Sequence, residues 1–63
     1  MSYHVKGGAI EPQEAEAYIR MIQKKHPEQI IKDVTFHVDG EYVDVSYKEK
    51  TGERHIKRVF NNA

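Results

Sequence analysis

Residues 34–47 (Val-Thr-Phe-His-Val-Asp-Gly-Glu-Tyr-Val-Asp-Val-Ser-Tyr) constrain this chain more than any other stretch. Apolar residues alternate with polar ones on both sides of Asp39 and Gly40, the pattern of two half-buried strands joined by a tight turn. Asp-Gly supplies the positive φ angles that a two-residue hairpin loop requires. That loop sets Phe36 opposite Val43 and Val34 opposite Val45. Val34, Phe36, Val38, Val43, Val45 and Tyr47 then share one face, and Thr35, His37, Tyr42, Asp44 and Ser46 the other. A slip of one residue would split the apolar set across both faces.

The rest of the chain arranges itself around this hairpin. Tyr3, His4, Val5 and Lys6 read as a short first strand over residues 3–6, ended by a flexible turn at Gly7 and Gly8. A phosphate-binding loop would need a longer glycine pattern opening directly onto a helix. Glu11 and Pro12 begin a helix over residues 12–26, with proline at the first position, where its missing N–H costs nothing. Ala15, Tyr18, Ile19 and Ile22 form its buried stripe, Met21 flanks it, and Pro27 ends it. Acidic Glu11, Glu14 and Glu16 lie toward the positive end of the helix dipole. Arg20, Lys24, Lys25 and His26 lie toward the negative end, and complementing the dipole accounts for them better than an anion site does.

Strands follow over residues 31–38, 41–48 and 54–60, and Asn61, Asn62 and Ala63 form a tail. For the second hairpin, a two-residue loop at Thr51 and Gly52 pairs Lys50 with Glu53 and Glu49 with Arg54, and puts Ile56 and Phe60 on the core face. A three-residue loop ending in a glycine bulge would instead bury Val59 and expose Ile56. The charge pairs favour the first. The fold class is therefore α+β: one domain of order β-α-β-β-β, its single helix packed on a mainly antiparallel sheet. A right-handed crossover places the first strand at a sheet edge, beside the second or the fourth.

Function is far less legible. Sixty-three residues allow one small core, and with no cysteine neither a disulfide nor a thiolate–metal bond can reinforce it. Ten basic and ten acidic residues cancel, which argues against a general polyanion binder. No apolar run approaches a membrane span, and no signal-peptide pattern opens the chain, so a cytoplasmic protein without membrane association is expected. Four histidines (His4, His26, His37 and His55) include no short-spaced pair of the kind zinc sites use, and no cofactor-binding residue stands out. His37 and His55 are expected on the polar sheet face. Asp44 with His37 and Tyr42 is the nearest approach to an acid–base constellation, but an open sheet lacks the enclosure that tunes such groups, so no enzyme is expected.

Lys48, Lys50, Arg54, His55, Lys57 and Arg58 make the C-terminal third basic, and Tyr42 offers a ring for base stacking. Against RNA binding, acids are interleaved with these cations, and an exposed aromatic pair on neighbouring strands is missing from the expected face. A small non-enzymatic interaction module with an unknown protein partner is the leading reading, with His37, Tyr42, Asp44, Lys57 and Arg58 as its candidate surface. RNA binding through Lys50, Lys57, Arg58 and Tyr42 is the alternative. A lean core with an exposed edge also suggests a homodimer, built on Tyr42 and Val59.

Several segments together resemble short bacterial proteins related to the anaerobic ribonucleoside-triphosphate reductase. They are Tyr3-His4-Val5 followed by Gly-Gly, the helix start after Glu11 and Pro12, and the run from Asp39 to Tyr47. The basic strand with His55-Ile56-Lys57-Arg58, followed by Phe60-Asn61-Asn62, extends the likeness, although the Gly-Tyr-Leu segment of that group is missing here. The resemblance covers most of the chain but includes no catalytic signature. Without cysteines, it implies an accessory or stand-alone relative rather than a reductase.

Overall fold

β1 (Tyr3–Gly7), α1 (Pro12–Lys25), β2 (Lys32–Val38), β3 (Tyr42–Lys48) and β4 (Arg54–Phe60) make up the computed structural model, which describes residues 2–60. The expected tail at residues 61–63 lies outside the described residues. The α+β order holds, and the strands lie side by side in chain order, β1-β2-β3-β4. β1 runs parallel to β2, which settles its edge, and the other neighbours are antiparallel.

α1 covers one sheet face. It starts behind Glu11, whose carbonyl accepts the Ala15 N–H at 3.0 Å, and Pro12 fills the first turn without wasting a donor. At its other end the His26 N–H reaches the carbonyls of Ile22 and Gln23 at 3.1 and 3.2 Å, and the Gln23 side chain donates to the carbonyls of His26 and Gln29. Ala15, Ile19 and Ile22 are buried against Ile31, Val34, Phe36, Val43, Val45 and Tyr47, the expected stripe meeting the expected sheet face. Phe36 lies at the centre, fully buried, with the Tyr3 ring edge-on at 5.4 Å and Tyr18 at 6.0 Å.

The first hairpin keeps its faces but not its register. Val38 pairs with Val43 and Phe36 with Val45, two residues away from the expected pairing. The Asp39 N–H donates to the Tyr42 carbonyl at 2.9 Å, so the loop is Gly40 and Glu41 rather than Asp39 and Gly40. The shift replaces a Val38–Glu41 pair with a valine pair beside the core, and an even shift leaves every side chain on its original face. Asp39 Oδ1 accepts the Glu41 N–H at 3.4 Å, and Gly40 lies outside the left-handed region, so the positive-φ turn expected there does not form. A Cβ on Gly40 would meet nothing within 4 Å. Gly40→Ala should therefore change stability by no more than about 0.5 kcal/mol, read from urea unfolding. A larger loss would show that the turn does use the glycine's freedom.

The left-handed positions fall elsewhere. Asp33, with φ 55°, forms a bulge in β2: three steps separate Lys32 from Thr35, while their partners Lys48 and Ser46 are two apart. The extra residue lets Ile31 and Val34, three positions apart, both enter the core. Gly7 ends β1 at φ 88°, and the Gly8 N–H donates to the Val38 carbonyl at 3.1 Å. What looked like a flexible turn at Gly7 and Gly8 is a fixed junction.

The second hairpin takes the register with the three-residue loop. The Glu49 N–H donates to the Glu53 carbonyl at 3.0 Å, and Gly52 bulges at φ 91° within Lys50, Thr51 and Gly52. Lys48 faces Arg54, Tyr47 faces His55 and Tyr42 faces Phe60. Against expectation, Ile56 and Phe60 are solvent-exposed, while His55, Lys57 and Val59 point to the helix side, half-buried. The charge pairs that favoured the other register are replaced by contacts of Glu49, described below.

Candidate functional site

The sheet face opposite the helix is uncovered among the described residues, and the strand register lays its side chains out in rows. Lys32, Lys48 and Arg54 form one row; His4, Thr35, Ser46 and Ile56 the next. Lys6, His37, Asp44 and Arg58 form a third, and Tyr42 with Phe60 closes the array. Of the five residues singled out from the sequence, His37, Tyr42, Asp44 and Arg58 meet here. Lys57 does not: the one-residue change of register turns it toward the helix, beside Lys25. The adjoining Lys25 amine, ahead of burial, holds the Lys57 pKa below its ordinary value.

Arg58 organises this face. Its Nε and Nη2 donate to the two Asp44 carboxylate oxygens at 2.8 and 3.0 Å, and its guanidinium lies 3.8 Å from the centre of the Tyr42 ring. The fork geometry fixes the guanidinium plane, and the ring's negative face attracts the cation. The hydrogen bonds from Arg58 lower the Asp44 pKa below its ordinary 3.8, with His37 adding a smaller push. Asp44 is thus an ionised brace for the guanidinium. A carboxylate whose pKa falls on folding stabilises the fold above its unfolded value and loses that contribution as pH drops through the folded one. Asp44→Asn should accordingly be less stable than the parent at pH 7, with the gap closing below pH 3.8. Melting curves across pH 2–7 measure it, and a pH-independent gap would deny the ionic character of the contact.

Elsewhere on the face, Arg54 Nη1 donates to the buried Ser46 hydroxyl, and Lys48 lies 3.9 Å from Asp33. Beside the Tyr42 end, Lys6, Gly7, His37, Val38, Asp39, Tyr42 and Asp44 line an open depression of about 290 Å³.

A second polar cluster, which no sequence pattern announced, lies at the opposite end of the helix-covered side. Glu49 is buried there, 7% exposed. His26 Nδ1 lies 3.4 Å from Oε1 and His55 Nε2 3.3 Å from Oε2. Gln29, with its amide nitrogen turned inward, donates to both oxygens at 2.7 and 2.8 Å. The His55 ring stacks on Tyr47 at 5.6 Å, but its Nε2 is aligned with no acceptor. Burial, seconded by the Glu49 carboxylate, raises the Tyr47 pKa above its ordinary value. His55 was expected beside His37 on the open face; the three-residue loop moves it to the helix side. That loop was the one available signal, since it alone brings His55 opposite Tyr47. Among the described residues, no group of three His, Cys, Asp or Glu side chains is arranged to hold a metal ion, and no helix is long and apolar enough to cross a membrane.

No family model, curated protein or solved structure matches the chain.

Proposed function

We propose that this domain is a non-enzymatic interaction module whose contact surface is the open sheet face. The observation that supports this most is the braced Arg58: a cation fixed by Asp44 and Tyr42 and presented between exposed Phe60 and Ile56. A preset polar anchor among exposed apolar groups is what a binding surface needs, because little side-chain freedom is lost on contact. The ionised, fully engaged Asp44 disfavours the acid–base reading. The resemblance to reductase-related proteins would make this module an accessory relative, one that lacks the cysteines of radical chemistry.

Self-association is the less favoured mode. Of the residues on which a homodimer was expected, Val59 lies half-buried on the helix side and the Tyr42 ring lies under Arg58. Pairing two copies through β4 would also set Arg54, Lys57 and Arg58 against their own like charges. Amide chemical-shift mapping tests the surface directly: the labelled domain is titrated separately with protein and nucleic-acid fractions of a cell extract. Shifts should gather at His37, Tyr42, Asp44, Ile56 and Arg58. A response confined to the exposed side of α1 would overturn the assignment.

A further inference from the structure

Resting on that reading of the surface, we infer that the partner of the open sheet face is single-stranded RNA, its bases stacked on Phe60 and on the Arg58 plate. The sequence argued against RNA on two grounds, and the register of β4 weakens both. The face carries two aromatics on neighbouring strands, because Tyr42 and Phe60 are direct partners across β3 and β4; Phe60 is 64% exposed, and the Tyr42 ring is capped by the Arg58 guanidinium. The acids are also outnumbered by the cations here: Arg58 neutralises Asp44, and the exposed Asp33 lies 3.9 Å from Lys48. Of the chain's ten acids only Asp33 and Asp44 lie in the strands; the others are on or beside α1 and in the loops.

The remaining chemistry fits the same ligand. An arginine held flat over an aromatic ring offers its other side as a stacking plane, and Phe60 offers a second one. Both are tolerant of base identity, since every base has a π face. Lys6, Lys48 and Arg54 lie on the same face, where they can follow a phosphate backbone. Thr35, between the cation rows, and His37, in the row of Lys6 and Arg58, can hydrogen-bond a 2′-hydroxyl, the group that distinguishes RNA from DNA. A flat four-stranded face also suits an unpaired strand, whose bases are free to splay onto it. A purely acidic protein surface would meet the cations but leave Phe60 and the guanidinium plane without matching groups.

Fluorescence anisotropy with a labelled oligouridine of about twelve nucleotides tests this, since single-strand sites commonly span about 4–16 nucleotides. Binding should weaken with added salt at a log–log slope of roughly −2, as three phosphate contacts would give. Phe60→Ala should weaken it roughly tenfold. Arg58→Lys, which keeps the charge but loses the plane, should cost severalfold. Lys24→Ala, on the exposed side of α1, should change nothing. Thermal melts of each variant separate lost binding from lost folding. An abasic strand of equal length that binds as tightly as oligouridine would overturn the stacking, and a deoxy strand that does so would overturn the choice of RNA. No binding at about millimolar protein, together with open-face shifts caused by the protein fraction, would transfer the surface to a protein ligand and leave the interaction-module reading intact. Shifts on α1 alone would remove both.

Discussion

Phe36→Ala is expected to unfold most of this protein at room temperature. The ring is fully buried where Tyr3, Tyr18 and the helix stripe converge, and a Phe-to-Ala change in such a site costs about 3–5 kcal/mol through lost transfer energy and the cavity left behind. A 63-residue domain has only about 3–9 kcal/mol to lose. Circular dichroism melts should show the cooperative transition lost or moved far downward. An unchanged midpoint would mean that the helix does not sit on this face of the sheet.

The second large effect is expected at Gly7. Its φ of 88° suits glycine, and a Cβ there would lie 2.5 Å from the Val38 carbonyl oxygen, inside any real contact. Backbone strain of this kind costs about 1–3 kcal/mol by itself, and the obstructing atom belongs to a strand backbone that cannot swing aside. Gly7→Ala should thus lower the urea midpoint clearly, in contrast to the near-neutral Gly40→Ala. Equal midpoints for the two variants would mean that β1 ends differently from the description above.

That contrast shows how far a single sequence can be read. Alternation placed Phe36, Val43, Val45 and Tyr47 on one face correctly, because a side chain's face depends only on whether its position is odd or even relative to its neighbours. Register depends on which loop closes best, and Asp39 with Gly40 looked decisive while an additional valine pair outweighed it. The second hairpin was the harder case. Local charge pairing pointed to one loop, but Gly52 in the left-handed region, the His55 stack on Tyr47 and the buried Glu49 cluster accompany the other. These last contacts join residues from the end of α1, the end of β3 and the start of β4, and no local pattern displays them. The same one-residue difference decided the candidate site. It removed Lys57 from the open face, turned Arg58, Phe60 and Ile56 onto it, and left His37, Tyr42 and Asp44 where alternation had put them. The bulge at Asp33 was unreadable for a related reason, since an inserted residue breaks the period by which strands are recognised.

The order of the strands in the sheet, identical to their order in the chain, has a consequence for how the molecule assembles. Every antiparallel pairing closes a short loop, so the three-strand meander can zip from its turns at little entropic cost. The one pairing that spans the helix is β1 with β2, the longest loop to close, whereas Tyr42, Arg58 and Phe60 lie wholly within the meander. If the N-terminal strand frays, Lys6 leaves the surface, but the arginine plate and both rings belong wholly to β3 and β4. The braced arginine and the completeness of the fold are thereby separable: a molecule momentarily missing its first strand would keep the contacts of Arg58 with Asp44 and Tyr42.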